Sequence, residues 1–211
     1  MSNQTKKGMN LPNKLTVLRI FLVPIFIVVM MLPATVLHPI VSGLVGVAIF
    51  ILASLTDMLD GKIARKYGLV TDFGKLMDPL ADKFMVIGAL TVIVFRARFE
   101  TTCLFYTLIL LVVVFRELAV TSIRLVASGS GVVVAANMLG KIKTVSQIVF
   151  ILCAMLEPVI FEVASLISGM DLVKYDYHVL TYASMAVSTF FAVLSGVNYL
   201  KTYWKFLDPE K

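Results

Sequence analysis

Charged residues are scarce in this sequence: Asp, Glu, Lys and Arg make up 15% of its 211 residues, while hydrophobic residues make up 59%. Soluble domains carry roughly 25% charged and about 45–50% apolar residues. A soluble globular domain, a disordered chain and a coiled coil all need more polar surface than this composition supplies, so all three are excluded. The sequence instead predicts a protein that lies mostly in lipid.

Cysteine and histidine are also rare, with two residues of each. Cys103 and Cys153 lie in apolar runs and neither belongs to a CxxC pair, so the sequence indicates neither a disulfide framework nor a zinc site. His38 and His178 both fall on the outer side of the topology argued below. We therefore expect no histidine catalysis.

Long apolar runs dominate what is present. A helix needs about 20 residues to cross the hydrocarbon core of a bilayer. Polar or turn-forming clusters separate six such runs, at residues 15–32, 38–64, 78–96, 102–126, 139–168 and 178–204. We therefore predict an all-α polytopic membrane protein with six transmembrane helices. They form a single membrane domain over residues 1–211, in which residues 1–14 are a cytoplasmic or interfacial N-terminus.

A polar stripe marks the start of the first run. Asn13, Thr16 and Arg19 recur every three residues beside apolar leucines. This pattern is typical of an amphipathic helix at the membrane surface and predicts a short N-terminal interfacial helix. A plain helix cap at Asn13 would explain the pattern equally well.

Positive charge is distributed unevenly between the two ends of the predicted helices. The net charge is +6, but no arginine-rich tract with interleaved aromatics indicates a nucleic-acid partner. Three of the 19 Lys and Arg residues fall on one side, namely Arg96, Arg98 and Lys174. The other 16 fall on the opposite side, which the positive-inside rule makes cytoplasmic, together with both termini. Tyr199, Tyr203 and Trp204 fall near the same end of the last run, as in an interfacial aromatic belt.

Four carboxylates lie at the cytoplasmic boundary of the second and third runs. Asp57 and Asp60 are three residues apart, and Asp78 and Asp82 are four apart, so each pair shares a helical face. The chain reverses between the two pairs, so two antiparallel helix ends present four acids to one region. Ionisable groups at membrane depth are costly and indicate function by default.

Two divalent cations would neutralise these four acids. An all-oxygen ligand set suits Mg²⁺, Mn²⁺ or Ca²⁺, and Mg²⁺ commonly binds carboxylates together with substrate phosphates. Gly61, Ala64 and Gly74 leave room for a ligand near the backbone. Arg65 matches the geometry of an anionic diphosphate. The alternative is a set of salt bridges from the aspartates to Lys62, Arg65 or Lys83.

The spacing of these residues resembles the signature of the CDP-alcohol phosphotransferase family. Residues 57–82 fill every fixed position of D-x2-D-G-x2-A-R-x8-G-x3-D-x3-D. The resemblance implies transfer of a phosphatidyl group from CDP-diacylglycerol to an acceptor alcohol, with release of CMP. It also implies that two metal ions, Mg or Mn, bind to the aspartates, and that Asp82 both contacts metal and is the catalytic base. The metal ligands implied are Asp57, Asp60, Asp78 and Asp82.

The resemblance also implies a donor site and a quaternary state. The residues expected to bind CDP-diacylglycerol are Asn13, Thr16, Asp57, Gly61, Ala64, Arg65, Thr71 and Gly74. Members of the family are commonly homodimers in the lipid bilayer, so we expect a homodimer.

A second polar cluster bears on the acceptor. Arg116 lies within the apolar run VVVFRELAV, and a guanidinium at that depth needs an anionic partner. Glu117 is adjacent in sequence and points to another side of a helix, so it is not automatically that partner. A phosphate on the acceptor would satisfy Arg116, Arg124, Lys141 and Lys143 together. The alternative is that Lys141 and Lys143 only reflect the excess of positive charge on the cytoplasmic side.

The segments around residues 10–19 and 140–144 resemble the phosphatidylglycerophosphate synthases of this family. We therefore expect sn-glycerol 3-phosphate as the acceptor. Inositol phosphate, serine or another phosphatidyl lipid would define a relative with different specificity. A divalent-cation transporter is a more distant alternative, since transporter ion sites lie near the bilayer midplane rather than at one boundary.

Overall fold

The computed structural model describes residues 9–69, 71–97, 102–129, 138–170 and 178–204, without the side chains of Arg65, Lys75 and Ser128. Within these ranges the regular secondary structure is helical, as the sequence predicts. Six helices follow one another along the chain: α1 (Leu11–Met31), α2 (Pro39–Tyr67), α3 (Asp72–Arg96), α4 (Cys103–Gly129), α5 (Met138–Ser168) and α6 (Val179–Tyr203).

The first helix differs from expectation. We predicted a separate short interfacial helix followed by a span, but Leu11–Met31 is one continuous helix. Asn10 caps it by accepting a hydrogen bond from the backbone N–H of Asn13, and Pro12 lies in the first turn, where its missing N–H costs nothing. The stripe of Asn13, Thr16 and Arg19 therefore belongs to the first turns of α1, and all three residues are buried.

Five of the six helices are long and apolar enough to cross a membrane. The helix not counted among them is α3. Its first half carries five charged residues, at Asp72, Lys75, Asp78, Asp82 and Lys83. This charge density separates α3 from the other five, although residues 84–95 are free of charged side chains.

One compact unit comprises Met1–Val92. In it α1 packs along α2, with the rings of Phe26 and Phe50 6.2 Å apart. The helix α3 approaches α1 closely at Gly88, where a β carbon would lie 3.1 Å from Cγ1 of Val23 and 3.2 Å from Cδ1 of Ile27. Gly68, with φ +63°, ends α2 in the left-handed conformation that glycine adopts without strain. This turn brings the start of α3 back toward the end of α2.

The second compact unit comprises Ile93–Lys211. In it α6 packs against both α4 and α5. The buried carboxylate of Glu157 on α5 accepts hydrogen bonds from the backbone N–H groups of Leu180 and Thr181, at 3.1 and 2.8 Å. A carboxylate at a helix N-terminus pairs the first free N–H groups and complements the helix dipole. Glu157 thereby fixes where α6 begins.

Candidate active site

The carboxylates of Asp57 and Asp60 converge on the guanidinium of Arg19. The two aspartates lie one helical turn apart on α2. Arg19 reaches them from α1 and donates a hydrogen bond from one terminal nitrogen to each. The side chain of Arg19 is 0% exposed and that of Asp60 is 4% exposed, whereas the Asp57 side chain is 40% exposed. A buried guanidinium therefore neutralises part of the negative charge of this site.

Thr16 joins a third aspartate to this pair. Its hydroxyl donates to Oδ1 of Asp78 on α3 at 2.6 Å and lies 3.5 Å from Oδ2 of Asp60. A hydroxyl carries a single proton, so the shorter contact to Asp78 is the principal hydrogen bond. Three carboxylates from two helices are thus connected through two side chains of α1.

The start of α1 is tied to the connection between α2 and α3. Asn10 donates from Nδ2 to the backbone carbonyl of Leu69 at 2.9 Å. Thr71 donates to Oδ1 of Asn13 at 3.0 Å and accepts from the backbone N–H of Gly74 at 3.0 Å. These hydrogen bonds hold the first turns of α1 beside the acidic ends of α2 and α3.

Gly74 lies where side-chain space is limited. A β carbon there would be 3.2 Å from Oδ1 of Asn13, 3.4 Å from Oγ1 of Thr71 and 3.6 Å from Oδ2 of Asp78. Such distances require neighbours to shift, so glycine allows the polar groups of three segments to meet. The groups near Gly74 are side chains of this chain, so the predicted approach of a ligand to its backbone stays a prediction.

Most of the predicted donor and metal residues therefore occupy one region. The structure connects Asn13, Thr16, Asp57, Asp60, Thr71, Gly74 and Asp78. Asp82 is half-buried one turn beyond Asp78 on α3, and Gly61 and Ala64 are half-buried on α2. The side chain of Arg65 lies outside the described residues.

The donor set fits a hard divalent cation, since it consists of carboxylate and hydroxyl oxygens. In the part of the chain that the structure describes, no three His, Cys, Asp or Glu side chains converge closely enough to hold a metal ion. Arg19 is bound to Asp57 and Asp60 at this point, so a cationic group already lies between the two carboxylates.

Arg19 is the site residue that sequence analysis missed. We grouped it with the cytoplasmic positive charges, but it is completely buried and paired with two aspartates. The signal available was its position three residues after Thr16 on the polar stripe, inside an otherwise apolar run. A charge placed on the same face as two buried polar groups indicates a polar site more than a loop anchor.

Glu117 pairs with two members of the predicted acceptor cluster, Arg116 and Lys143. Arg116 donates to Oε1 of Glu117 at 2.9 Å and to the hydroxyl of Ser195 on α6 at 2.6 Å. Lys143 on α5 donates to the same Glu117 oxygen. Arg116 and Glu117 point in different directions from the helix, but both side chains are long enough to meet. The three ionised groups leave one net positive charge.

Arg124 and Lys141 make different contacts. Arg124 donates to the hydroxyl of Tyr199 at 2.7 Å and lies over its ring, 5.0 Å from the centroid. Tyr199 is 1% exposed, so it is not part of an exposed aromatic belt as we expected. Lys141 is exposed and lines one end of an apolar groove of about 620 Å³ between α5 and α6. Among the described residues, neither Arg124 nor Lys141 contacts Glu117.

Two further features lie near the Arg116 cluster. A β carbon at Gly196 would be 3.1 Å from Cγ of Arg116, so glycine makes room for this side chain beside α6. Gln147 lies one turn beyond Lys143 on α5, is 1% exposed, and has no hydrogen-bond partner for its amide among the described residues. An unpaired buried amide costs about 1–3 kcal/mol per group, which makes Gln147 a candidate to meet a polar ligand or water.

Comparison with known proteins assigns the family. Residues 9–194 match the family model described as CDP-alcohol phosphatidyltransferase, and the chain belongs to that family. It is therefore a membrane-embedded transferase of the CDP-alcohol type.

Individual relatives carry a more specific name. A CDP-diacylglycerol--glycerol-3-phosphate 3-phosphatidyltransferase of Bacillus subtilis (strain 168) is 42% identical over 211 aligned positions, which cover 95% of this chain and 98% of that protein. An enzyme of the same name from Rickettsia typhi (strain ATCC VR-144 / Wilmington) is 31% identical over 197 positions, covering 91% and 96%. With these similarities and its apolar helices, the chain is a multi-pass membrane protein.

Proposed function

We propose that this protein transfers the phosphatidyl group of CDP-diacylglycerol to sn-glycerol 3-phosphate, giving phosphatidylglycerophosphate and CMP. The observation that carries the proposal is the 42% identity, along nearly the whole chain, to a protein named for this reaction. The arrangement of Asp57, Asp60, Asp78 and Thr16 supports it, because a diphosphate donor needs a site that can hold cations at a membrane boundary.

In the proposed reaction an acceptor hydroxyl oxygen bonds to the phosphorus that carries diacylglycerol, and the phosphorus–oxygen bond to CMP breaks. Asp82 takes the proton of the attacking hydroxyl. A positioned carboxylate base raises the nucleophilicity of an alcohol during attack. Asn13, Thr71 and Gly74 form the polar surface against which the cytidine diphosphate lies, together with Gly61, Ala64 and Arg65.

Two divalent cations, Mg²⁺ or Mn²⁺, complete the proposed site. When bound, such ions offset the charge of the diphosphate and of the departing CMP oxygen. Asp57, Asp60, Asp78 and Asp82 are the ligands proposed to hold them. The oxygen-only chemistry of this set supports Mg²⁺ or Mn²⁺ over a softer metal.

The cluster of Arg116 and Lys143 is proposed to bind the phosphate of the acceptor. Glu117 neutralises one of the two positive charges, so one remains for an anion. Arg124 and Lys141 contribute more distant positive charge. Gln147 supports the placement of a polar acceptor here, since its buried amide could pair with an acceptor hydroxyl.

The proposed setting is the cell membrane. Six spans, with both termini and the aspartates on the cytoplasmic side, account for the distribution of Lys and Arg, and we propose a homodimer.

Acceptor profiling tests the function directly. Purified protein with CDP-diacylglycerol and Mg²⁺ is supplied in turn with glycerol 3-phosphate, inositol phosphate and serine, and released CMP is measured. Of the three acceptors, we expect only glycerol 3-phosphate to support turnover. We expect no turnover with any acceptor when a chelator removes the metal. Faster turnover with either of the other acceptors would contradict the proposed specificity while leaving the family unaffected.

A further inference from the structure

We propose that Arg19 is a built-in counter-ion of the acidic site, which the divalent metal must displace from Asp57 and Asp60 in order to bind. The proposal rests on the proposed metal-dependent function and adds a step to it. Either the guanidinium of Arg19 or the metal binds the two carboxylates, but not both at once.

The burial of Arg19 gives the first argument. Its side chain is 0% exposed, and Asp60, one of its two partners, is 4% exposed. Isolated charges are costly at such depth, so the carboxylates need positive charge beside them at all times. Arg19 supplies that charge when no metal is bound.

Competition for the same oxygen atoms gives the second argument. Arg19 occupies Oδ1 of Asp57 and Oδ2 of Asp60. Mg²⁺ usually binds through one or two carboxylates and demands a near-ideal octahedral arrangement of its ligands. A guanidinium and a divalent cation between these two carboxylates would also repel each other at short range. Metal binding at these two oxygen atoms therefore requires Arg19 to move.

The incomplete pairing of Arg19 gives the third argument. Its Nε is buried and has no hydrogen-bond partner among the described residues. The guanidinium is thus held by its two terminal nitrogens and lacks the additional contact that would lock it in place. A structural ion pair at this depth is expected to have all its donors satisfied.

Binding of Mn²⁺ alone to the purified protein tests the proposal, with electron paramagnetic resonance measuring free Mn²⁺. Arg19→Gln removes the competing charge and keeps hydrogen-bonding capacity. We expect its Kd for Mn²⁺ to fall at least about tenfold below wild type, equivalent to ~1.4 kcal/mol. Lys14→Gln is the matched control, since it removes an exposed charge from the same helix. Its Kd should equal that of wild type.

The outcomes separate this inference from the proposed function. If wild-type protein binds no Mn²⁺ and its activity also survives a chelator, the metal-dependent function itself would be overturned. Wild-type protein that binds Mn²⁺ with a Kd that Arg19→Gln leaves unchanged or raises would overturn the counter-ion role alone. In that case Arg19 would orient the aspartates for the metal instead of competing with it.

A second measurement keeps the test decisive if Arg19→Gln fails to fold. The chain has six arginines, and wild-type protein labelled with ¹³C at arginine Cζ gives one signal for each. Arg19→Lys retains the charge and identifies the Arg19 signal by its absence. Titration of wild type with Mg²⁺ should shift this signal as the guanidinium leaves the carboxylates. A signal unchanged at saturating Mg²⁺ would overturn the proposal.

Discussion

Asp82 lies one helical turn beyond Asp78 on α3 and is half-buried, and it is the residue proposed to take the proton of the acceptor hydroxyl. We expect Asp82→Asn to lower kcat by about 10²–10⁴-fold, the usual contribution of a general base. Binding of CDP-diacylglycerol should change little, because the proposed donor contacts come from α1, α2 and the start of α3. CMP release and donor affinity, measured on the same preparation, check this expectation.

The control for Asp82 is Asp72→Asn, which makes the same change at the exposed start of the same helix. It should retain activity near that of wild type. If Asp82→Asn kept kcat within a few-fold of wild type, the proton-acceptor role would have to be abandoned.

Arg116 is the residue on which the proposed acceptor site depends most. Glu117 and Ser195 each accept a hydrogen bond from one terminal nitrogen of Arg116. A phosphate would therefore have to bind to a guanidinium that already has protein partners. We expect Arg116→Gln to raise the KM for glycerol 3-phosphate by about 10–100-fold, since a hydrogen bond to a charged group contributes roughly 1.5–3 kcal/mol. The KM for CDP-diacylglycerol should stay constant.

Lys201→Gln serves as a comparison for Arg116, because Lys201 is an exposed cation in the last turn of α6. An unchanged acceptor KM in Arg116→Gln would assign Arg116 to structural pairing with Glu117 and move the acceptor site elsewhere.

Single residues show where sequence reasoning succeeds and where it fails. That Asp57 and Asp60 face the same partner was predictable, because fixed spacing on a helix determines which side chains share a face. The partners of Arg19 and Arg116 were not, because a long side chain can reach groups far from the direction of its own Cβ. Tyr199 was misjudged for a similar reason: its hydroxyl binds Arg124, a residue 75 positions away in the chain.

Helices were easier to predict than their contacts. Apart from the starts of α1 and α3, the helices begin and end close to the predicted limits, with α2 ending at the glycine cap Gly68 and α6 beginning beside His178. Hydropathy alone missed the first turns of α1 and α3, which begin at Leu11 and Asp72, because polar and charged residues interrupt the apolar runs there.

Close packing between α1 and α3 gives a prediction at this scale. In Gly88→Ala the new methyl group would meet Val23 and Ile27 at 3.1 and 3.2 Å. Overpacking of this kind costs about 1–3 kcal/mol, so we expect a lower thermal unfolding midpoint in detergent. Thr91→Ala, on the exposed face of the same helix, is the matched control and should leave the midpoint near wild type. Equal midpoints for all three proteins would mean that α1 and α3 can separate at Gly88 without cost.

At the scale of the whole molecule, the two polar clusters belong to different compact units. The aspartates and Arg19 lie in Met1–Val92, and the Arg116 cluster lies in Ile93–Lys211. The groups proposed to bind the donor and those proposed to bind the acceptor thus belong to separate sets of helices. This division could not be inferred from composition, because both sets have similar hydropathy and both carry buried charge.

The number of crossings determines where the two ends of the chain lie. Five helices are apolar enough to cross, and an odd number would place the termini on opposite sides of the membrane. If α3 also crosses, with its charged first half at the boundary and residues 84–95 in the hydrocarbon core, the number is six and both termini lie on the cytoplasmic side. The positive-inside distribution favours six.

Reporter fusions distinguish the two cases. Alkaline phosphatase, which is active only outside the cytoplasm, is fused after Met170 in one protein and after Lys211 in another. We expect activity from the first fusion alone, since α5 should end outside and α6 should return the chain to the cytoplasm. A tag at residue 1 should be protected from external protease in intact cells. Exposure of that tag, with the same two fusion results, would mean that α3 does not cross. The end of α2, with Asp57 and Asp60, would then lie outside the cytoplasm, contrary to the proposed site.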